Sequence, residues 1–281
     1  MCATGSEQRH RCATISRTQA SRGVHGGVVS SGTTNLGVVF IHGLFSSEKT
    51  WDTFAGLIES DEELASVTVT RFAYASPKLR RFRPDRRTPD YNDLAERLKT
   101  FLHFEASEYD RLVLVAHSQG GLIVQRYLAR MLNDGQGEAL TKIQGVVLFA
   151  CPNDGSDFVR PLRNAWWRSN PQVRALAPLD SEVKDAQRTV LRQVVEAPEV
   201  GPAMCPIPFW VFGGIEDNVV VRASAQGVFP RVFMLPGDHF SIIEPDSHKA
   251  PAYLALRERL LDTEPSPSSF PQFSGAGVMR G

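Results

Sequence analysis

The 281-residue sequence predicts an α/β fold: a mostly parallel sheet flanked by helices, with a helical lid insertion. Short apolar runs rich in β-branched residues recur along the chain, and such runs are typical of buried strands. Longer segments between them carry apolar residues at helical spacing. This alternation of strand and helix favours parallel pairing, because each helix crosses back over one face of the sheet.

The first third of the chain predicts two strands and two helices. Residues 37–43 form an apolar run that His-Gly stops, which is typical of a buried strand entering a tight loop. A short helical pattern opens at Thr50, and the alternating residues 67–75 are the second strand. Prolines within and around the basic segment 78–87 predict a loop. Residues 91–104 then repeat apolar side chains at helical spacing.

The rest of the chain continues the alternation. Each of its four apolar runs has the length of a buried strand, and one helix starts directly after the first of them. The predicted elements are strands over residues 111–117, 143–150, 207–214 and 231–237 and helices over residues 118–132 and 252–261.

Composition divides the chain into regions. Residues 1–35 are rich in Ser, Thr, Gly and Arg and predict a disordered leader, while the Pro-, Ser- and Gly-rich residues 263–281 predict a disordered tail. The folded domain is expected over residues 36–262. Within it, residues 155–205 interrupt the alternation between two strands. An insertion of that length over the carboxyl ends of the strands would form the lid.

Charge and cysteine content exclude several classes. Lysine plus arginine and aspartate plus glutamate both number 31, so the formal net charge is zero and gives no general attraction to nucleic acid. The four cysteines lack metal-ligand spacing and no Gly-x-Gly-x-x-Gly follows a strand, so we expect no metal and no organic cofactor.

No apolar run reaches transmembrane length and the leader lacks a secretory apolar core, so the expected location is cytoplasmic. The leader's arginine and serine content leaves an organellar transit peptide as the alternative.

The motif that carries the most chemistry is LVLVAHSQGGLIVQ, at residues 112–125. A strand enters, a small-x-Ser-x-Gly turn follows, and a helix leaves at once. Small residues two before and two after the serine, here Ala116 and Gly120, let the strand and the helix approach closely. Such a turn holds the serine in a strained backbone conformation above the sheet. The pattern predicts Ser118 as a nucleophile, with Ala116 in the place where glycine is usual.

Five segments together carry a family pattern. They are FIHGLFSSEKTW (40–51), VAHSQGGLIV (115–124), FACPNDGSDF (149–158), FGGIEDNVV (212–220) and PGDHFSII (236–243). In this order they resemble the α/β-hydrolases, and most closely the lipase and esterase branch that includes the GPI inositol-deacylase-like proteins. One departure is Asn153, which stands where that branch often has histidine. The resemblance implies the α/β-hydrolase fold over about residues 36–262.

A serine hydroxyl is a poor nucleophile unless a base accepts its proton. His239 follows the last predicted strand at the same sheet edge as the serine, and we predict it as the general base, with His248 as the alternative. The base needs an acid that holds its tautomer, and the chain order serine, acid, histidine indicates Asp217. The alternatives are Glu216 and Asp154.

The resemblance also implies an oxyanion hole made of two backbone N–H groups. One belongs to the residue after the nucleophile, which is Gln119. The other comes from the loop after the first strand, where Leu44 is expected and Phe45 is the alternative.

Apolar side chains near these positions predict an apolar or lipid acyl group, although they could equally pack the lid onto the core. The pocket candidates are Phe45, Leu122, Phe158, Phe240 and the lid pair Trp166 and Trp167.

The basic segment 78–87 carries six cations and one acid. It or the lid could contact an anionic membrane surface, with a solvated loop as the alternative.

These features together predict a carboxylic-ester hydrolase that acts on a small-molecule or lipid ester through an acyl-enzyme. One alternative is a catalytically idle α/β-hydrolase fold that serves as a binding module. The other is a thioesterase or acyltransferase, since thioester cleavage and acyl transfer use the same three side chains.

Overall fold

The computed structural model describes residues 35–44, 46–74, 90–153 and 179–263. Within these ranges six strands form one sheet in the order β2-β1-β3-β4-β5-β6, and every pair is parallel. The strands are β1 (Leu36–Ile41), β2 (Val67–Phe72), β3 (Arg111–His117), β4 (Ile143–Phe149), β5 (Phe209–Gly214) and β6 (Phe233–Leu235). The predicted α/β class with a mostly parallel sheet is confirmed.

Six α-helices connect or flank the strands in the same ranges. They are α1 (Asp52–Glu59), α2 (Tyr91–Phe104), α3 (Gln119–Asn133), α4 (Leu179–Val190), α5 (Arg222–Gln226) and α6 (Pro251–Thr263). The start of α2 is set by a capping box, in which the side chains of Asp90 and Asp93 each accept the other's backbone N–H. None of the described helices is both long and apolar enough to cross a membrane.

Side chains alternate between two core layers, as the pleat of a strand requires. On β3, Leu114 faces a cluster formed with α2, α3 and α4, while Val115 faces a cluster formed with α1 and α6. In the second cluster the rings of Trp51 and Phe40 stack with centroids 4.6 Å apart. Helices therefore cover both faces, and the site must lie at an edge of the sheet.

The two strands at the β5–β6 side are shorter than the sequence predicts. The strand expected over 207–214 begins at Phe209, and the one expected over 231–237 is reduced to Phe233–Leu235. Pro236 has no backbone N–H and cannot extend the last strand. Among the described residues this strand lies at the edge of the sheet and pairs only with β5, so a single ladder determines its length.

The predicted lid falls partly outside the described residues, which omit 154–178. Its later part includes α4, where Val183 and Val190 are buried in the same cluster as α3. This helix packs beside the sheet as part of the core. The lid over the carboxyl ends of the strands, like the leader before Asn35 and the tail after Thr263, stays a prediction.

Candidate active site

The turn at Ser118 is a strained strand-to-helix elbow. Ser118 has φ 52° and ψ −125°, a backbone conformation that residues with a Cβ rarely adopt. Its N–H donates to the carbonyl of Phe149 at 3.0 Å, and its carbonyl accepts from Gly121 at 3.1 Å. A Cβ on Gly120 would lie 2.6 Å from the carbonyl oxygens of both Ile41 and His42. Only glycine lets α3 begin this close to the end of β1.

Three buried side chains from separate loops meet above this elbow. The Nε2 atom of His239 lies 3.0 Å from the Oγ of Ser118, and its Nδ1 lies 2.9 Å from Oδ2 of Asp217. The residues are 6%, 4% and 6% exposed, respectively. Hydroxyl, imidazole and carboxylate thus form a continuous, water-shielded hydrogen-bond chain that can move a proton off the serine.

Asp217 is held in place by the loop after β5. Its Oδ1 accepts the backbone N–H groups of Val219 and Val220, each at 2.7 Å. The other oxygen, Oδ2, is thereby aimed at the imidazole of His239. Gly214 allows the loop to turn tightly, because a Cβ there would lie 2.5 Å from the carbonyl of Gly237.

The loop that carries His239 follows β6 and is shaped by its neighbours. The Oδ1 atom of Asp238 accepts the backbone N–H groups of Phe240 and Ser241, both at 2.9 Å. These N–H donors, first that of Ser241, hold the pKa of Asp238 below its usual value. A 3₁₀ turn follows, and its last residue, Ile243, is buried in the core and anchors the loop.

The predicted oxyanion donors, the N–H groups of Leu44 and Gln119, belong to two segments next to the serine. Gln119 is the first residue of α3, where backbone N–H groups have no partner within the helix. Gly43, directly before Leu44, approaches so closely that a Cβ on it would lie 2.9 Å from the Cβ of Ser118. The hydroxyl of Tyr74 donates to the carbonyl of His42 at 2.7 Å and so tethers this loop. The chain therefore brings the loop after β1 close to Ser118, and an oxyanion hole made by Leu44 and Gln119 stays a prediction.

Among the described residues, the alternatives for base and acid, His248 and Glu216, do not join this cluster. His248 bonds through Nε2 to the carbonyl of Leu57 at 3.0 Å, beside α1. Glu216 is exposed to solvent. Asp154 lies outside the described residues.

The predicted pocket residues have different surroundings. Phe240 is 58% exposed and its ring meets that of His239 edge-on, with centroids 5.1 Å apart. Leu122 is buried in the core cluster of α2 and α3, and its carbonyl accepts the hydroxyl of Tyr91. The other candidates, Phe45, Phe158, Trp166 and Trp167, lie outside the described residues.

Asn153 and His117 have structural contacts that the sequence analysis did not identify. The side-chain oxygen of Asn153 accepts from the amide of Gln125 at 2.9 Å, and its amide donates to the carbonyl of Ala225 at 2.6 Å. The asparagine that departs from the family pattern therefore ties α3 to α5. His117 contacts the backbone of His239. In the sequence, the one feature that could have drawn attention to His117 is that it directly precedes Ser118.

Comparison with known proteins bears on the fold and the family. A family model described as the alpha/beta hydrolase family matches residues 38–263. A comparison with curated protein sequences finds no match.

Similar solved structures include three with TM-scores of at least 0.50. The monoacylglycerol lipase of Paleococcus ferrophilus is 17% identical, with a TM-score of 0.51 over 80% of this chain and 94% of that one. The type II thioesterase BorB from the borrelidin biosynthetic cluster is 17% identical, with a TM-score of 0.50 over 82% and 92%. Esterase B from Lactobacillus rhamnosis, inhibited by a tributyrin phosphonate, is 17% identical, with a TM-score of 0.50 over 83% and 78%. At these identities the likeness shows the fold.

Proposed function

This chain belongs to the alpha/beta hydrolase family, and from that premise we propose that it is a serine hydrolase that cleaves carboxylic esters. The observation that carries the proposal is the buried hydrogen-bond chain in which His239 Nε2 lies 3.0 Å from Ser118 Oγ and His239 Nδ1 lies 2.9 Å from Asp217 Oδ2. Hydroxyl, base and acid are held in the geometry that nucleophilic catalysis requires.

The first half of the reaction forms an acyl-enzyme. His239 accepts the hydroxyl proton at Nε2 while Ser118 Oγ attacks the ester carbonyl carbon. The negative charge that develops on the carbonyl oxygen is stabilised by the N–H groups of Leu44 and Gln119, and loss of such a donor typically costs about 3–4 kcal/mol of transition-state stabilisation. His239 then donates its proton to the departing alcohol oxygen.

The second half releases the acid. Water replaces the alcohol, gives a proton to His239 and attacks the acyl carbon, and the proton returns to Ser118 as the ester bond breaks. Throughout, Asp217 accepts the Nδ1–H of His239 and stabilises the imidazolium in each transition state.

We propose an apolar or lipid acyl group for the substrate. Phe240 and Ile215, on the loops that carry the base and the acid, are 58% and 64% exposed, and such apolar side chains at a catalytic edge suit an apolar substrate. Within the family we propose the lipase and esterase branch that includes the GPI inositol-deacylase-like proteins, on the motifs quoted above. Membrane contact through residues 78–87 or the predicted lid, and a cytoplasmic location, stay predictions.

A fluorophosphonate tests the proposal, because it reacts only with an activated serine. The intact mass of the wild type should rise by one adduct, while Ser118→Ala and His239→Ala should stay unmodified. A folded wild type that remains unmodified with and without detergent would support the idle binding module instead.

Substrate class requires a second assay. Initial rates on p-nitrophenyl esters of increasing chain length, beside an acyl-CoA, separate ester from thioester cleavage. We expect rates to increase beyond the acetate ester. A preference for acetate would contradict the lipid assignment, and a preference for acyl-CoA would indicate a thioesterase.

A further inference from the structure

A second imidazole lies beneath the catalytic one. His117 is the last residue of β3 and is 2% exposed. Its Nε2 lies 2.7 Å from the backbone carbonyl oxygen of His239, and the two rings have centroids 4.9 Å apart. A carbonyl oxygen can only accept, so the proton of His117 is on Nε2 and the ring donates it to the loop of the base.

The surroundings keep this ring neutral. Burial, and next the neighbouring His239, lower the pKa of His117 to about 3, so the ring carries one proton at neutral pH. Because that proton is on Nε2, the Nδ1 atom of His117 is unprotonated and can only accept a hydrogen bond. Nδ1 has no hydrogen-bond partner among the described residues. The ring meets the edge of Trp51 with centroids 6.5 Å apart, and a Cβ on Gly43 would lie 3.1 Å from Nδ1.

The hydrogen bond ties the base to the strand that carries the nucleophile. His239 is attached to two consecutive residues: its carbonyl to His117 and its Nε2 to Ser118. On the other side the loop faces solvent, since Phe240 is 58% exposed. The bond to His117 thus holds this loop from the inside at the base residue itself, whereas the buried Ile243 holds it four residues further on.

We propose that His117 is a positioning residue that holds the His239 loop in register with the serine by donating its Nε2–H to the His239 carbonyl. This inference rests on the proposed function. A neutral donor is required at this place, because a second positive ring would oppose the imidazolium that forms on His239 during catalysis. Misplacement of a catalytic group by about 1 Å can lower a rate about 100-fold.

The experiment compares two substitutions that differ in the donor. His117→Phe keeps an aromatic ring but removes the N–H, whereas the amide nitrogen of glutamine in His117→Gln can reach about the position of Nε2. We expect His117→Phe to lower kcat for a p-nitrophenyl ester by about 30- to 100-fold with little change in KM. His117→Gln should recover most of that loss.

Val115→Ala is the matched control, because Val115 lies on the same strand and the same face of the sheet. It should lower the melting temperature while kcat stays near that of the wild type. If His117→Phe keeps its kcat, or if His117→Gln is as impaired as His117→Phe, the donor has no positioning role.

A readout without turnover separates this inference from the proposed function. In the Ser118→Ala background, proton NMR can follow the low-field resonance of the His239 Nδ1–H that is bonded to Asp217. We expect His117→Phe to shift or broaden it and Val115→Ala to leave it in place. An unchanged resonance would overturn the role of His117, whereas a wild type that does not react with fluorophosphonate would overturn the proposed function instead.

Discussion

Replacing Asp217 by asparagine should disable the base while leaving the fold intact. In the wild type Oδ1 accepts two backbone N–H groups at 2.7 Å, from Val219 and Val220, and Oδ2 faces Nδ1 of His239 at 2.9 Å. Because those N–H groups require an acceptor, the amide of Asp217→Asn must place its oxygen there. Its NH₂ then points at Nδ1, which must become the acceptor.

That reversal changes the tautomer of His239. With Nδ1 as acceptor, the proton moves to Nε2, which faces the serine hydroxyl and can no longer take its proton. The same kind of change in a serine protease lowers kcat about 10⁴-fold. We therefore expect a fall of about 10³- to 10⁴-fold in kcat, which corresponds to about 4–5.5 kcal/mol of transition-state stabilisation.

The assay is the initial rate on a p-nitrophenyl ester at neutral pH, with circular dichroism to check the fold. Glu216→Gln is the matched control, because Glu216 adjoins Asp217 but is exposed, and it should keep the wild-type rate. A kcat for Asp217→Asn within about tenfold of the wild type would show that the carboxylate does not set the tautomer of His239. If Asp154→Asn shows the large loss instead, the acid has been misassigned.

Three further substitutions test packing and electrostatics. Gly43→Ala would place a Cβ 2.9 Å from that of the nucleophile, so we expect kcat to fall about 10- to 100-fold as the oxyanion loop moves. Gly121→Ala would place a Cβ 2.3 Å from Cys151 Sγ, and urea denaturation should show a loss of about 1–3 kcal/mol. Asp61→Asn tests a pH-dependent contribution to stability. In the wild type the hydrogen bond from Arg257 lowers the pKa of the Asp61 carboxyl. The ionised carboxylate therefore stabilises the fold above about pH 4, and this contribution is lost as the pH falls and the carboxylate is protonated. The urea midpoints of wild type and variant should therefore differ at neutral pH and converge in acid.

Each of these expectations has its own control. Gly56→Ala in α1 adds a Cβ that meets no atom within 4 Å beyond its own helix backbone and chain neighbours, so it should leave kcat unchanged and raise stability by up to about 1 kcal/mol. Cys151→Ala should rescue part of the Gly121→Ala loss in a double-mutant cycle, and strict additivity would contradict the contact. For Asp61→Asn, a difference between midpoints that is independent of pH would show that the carboxylate charge has no part in stability.

The strand-to-helix elbow was predictable because all of its determinants are local. The apolar run of β3, the small residues Ala116 and Gly120, and the apolar spacing of α3 lie within about twenty consecutive positions. The helix predicted over 91–104 matches α2 for the same reason, since a capping box is a contact between near neighbours. The start of β6 was not predictable, because it depends on pairing with β5, whereas Pro236 is a local signal for its end.

The chain order of Ser118, Asp217 and His239 could be read from the sequence together with the family resemblance. Their contact could not, because the hydroxyl and the imidazole are 121 positions apart and meet only through the register of parallel strands. The same holds for His117, because only the tertiary structure brings its ring against the carbonyl of His239.

By itself the sequence determined the fold class, the elbow and the types of side chain available for chemistry, because hydrophobic period and turn geometry act over a few neighbouring residues. Tertiary structure alone decided which oxygen of Asp217 faces the base, which of the candidate histidines reaches the serine, and which backbone groups flank it. These contacts join distant loops at the carboxyl edge of one sheet. Their distances are set by how six strands and the helices on both faces pack together.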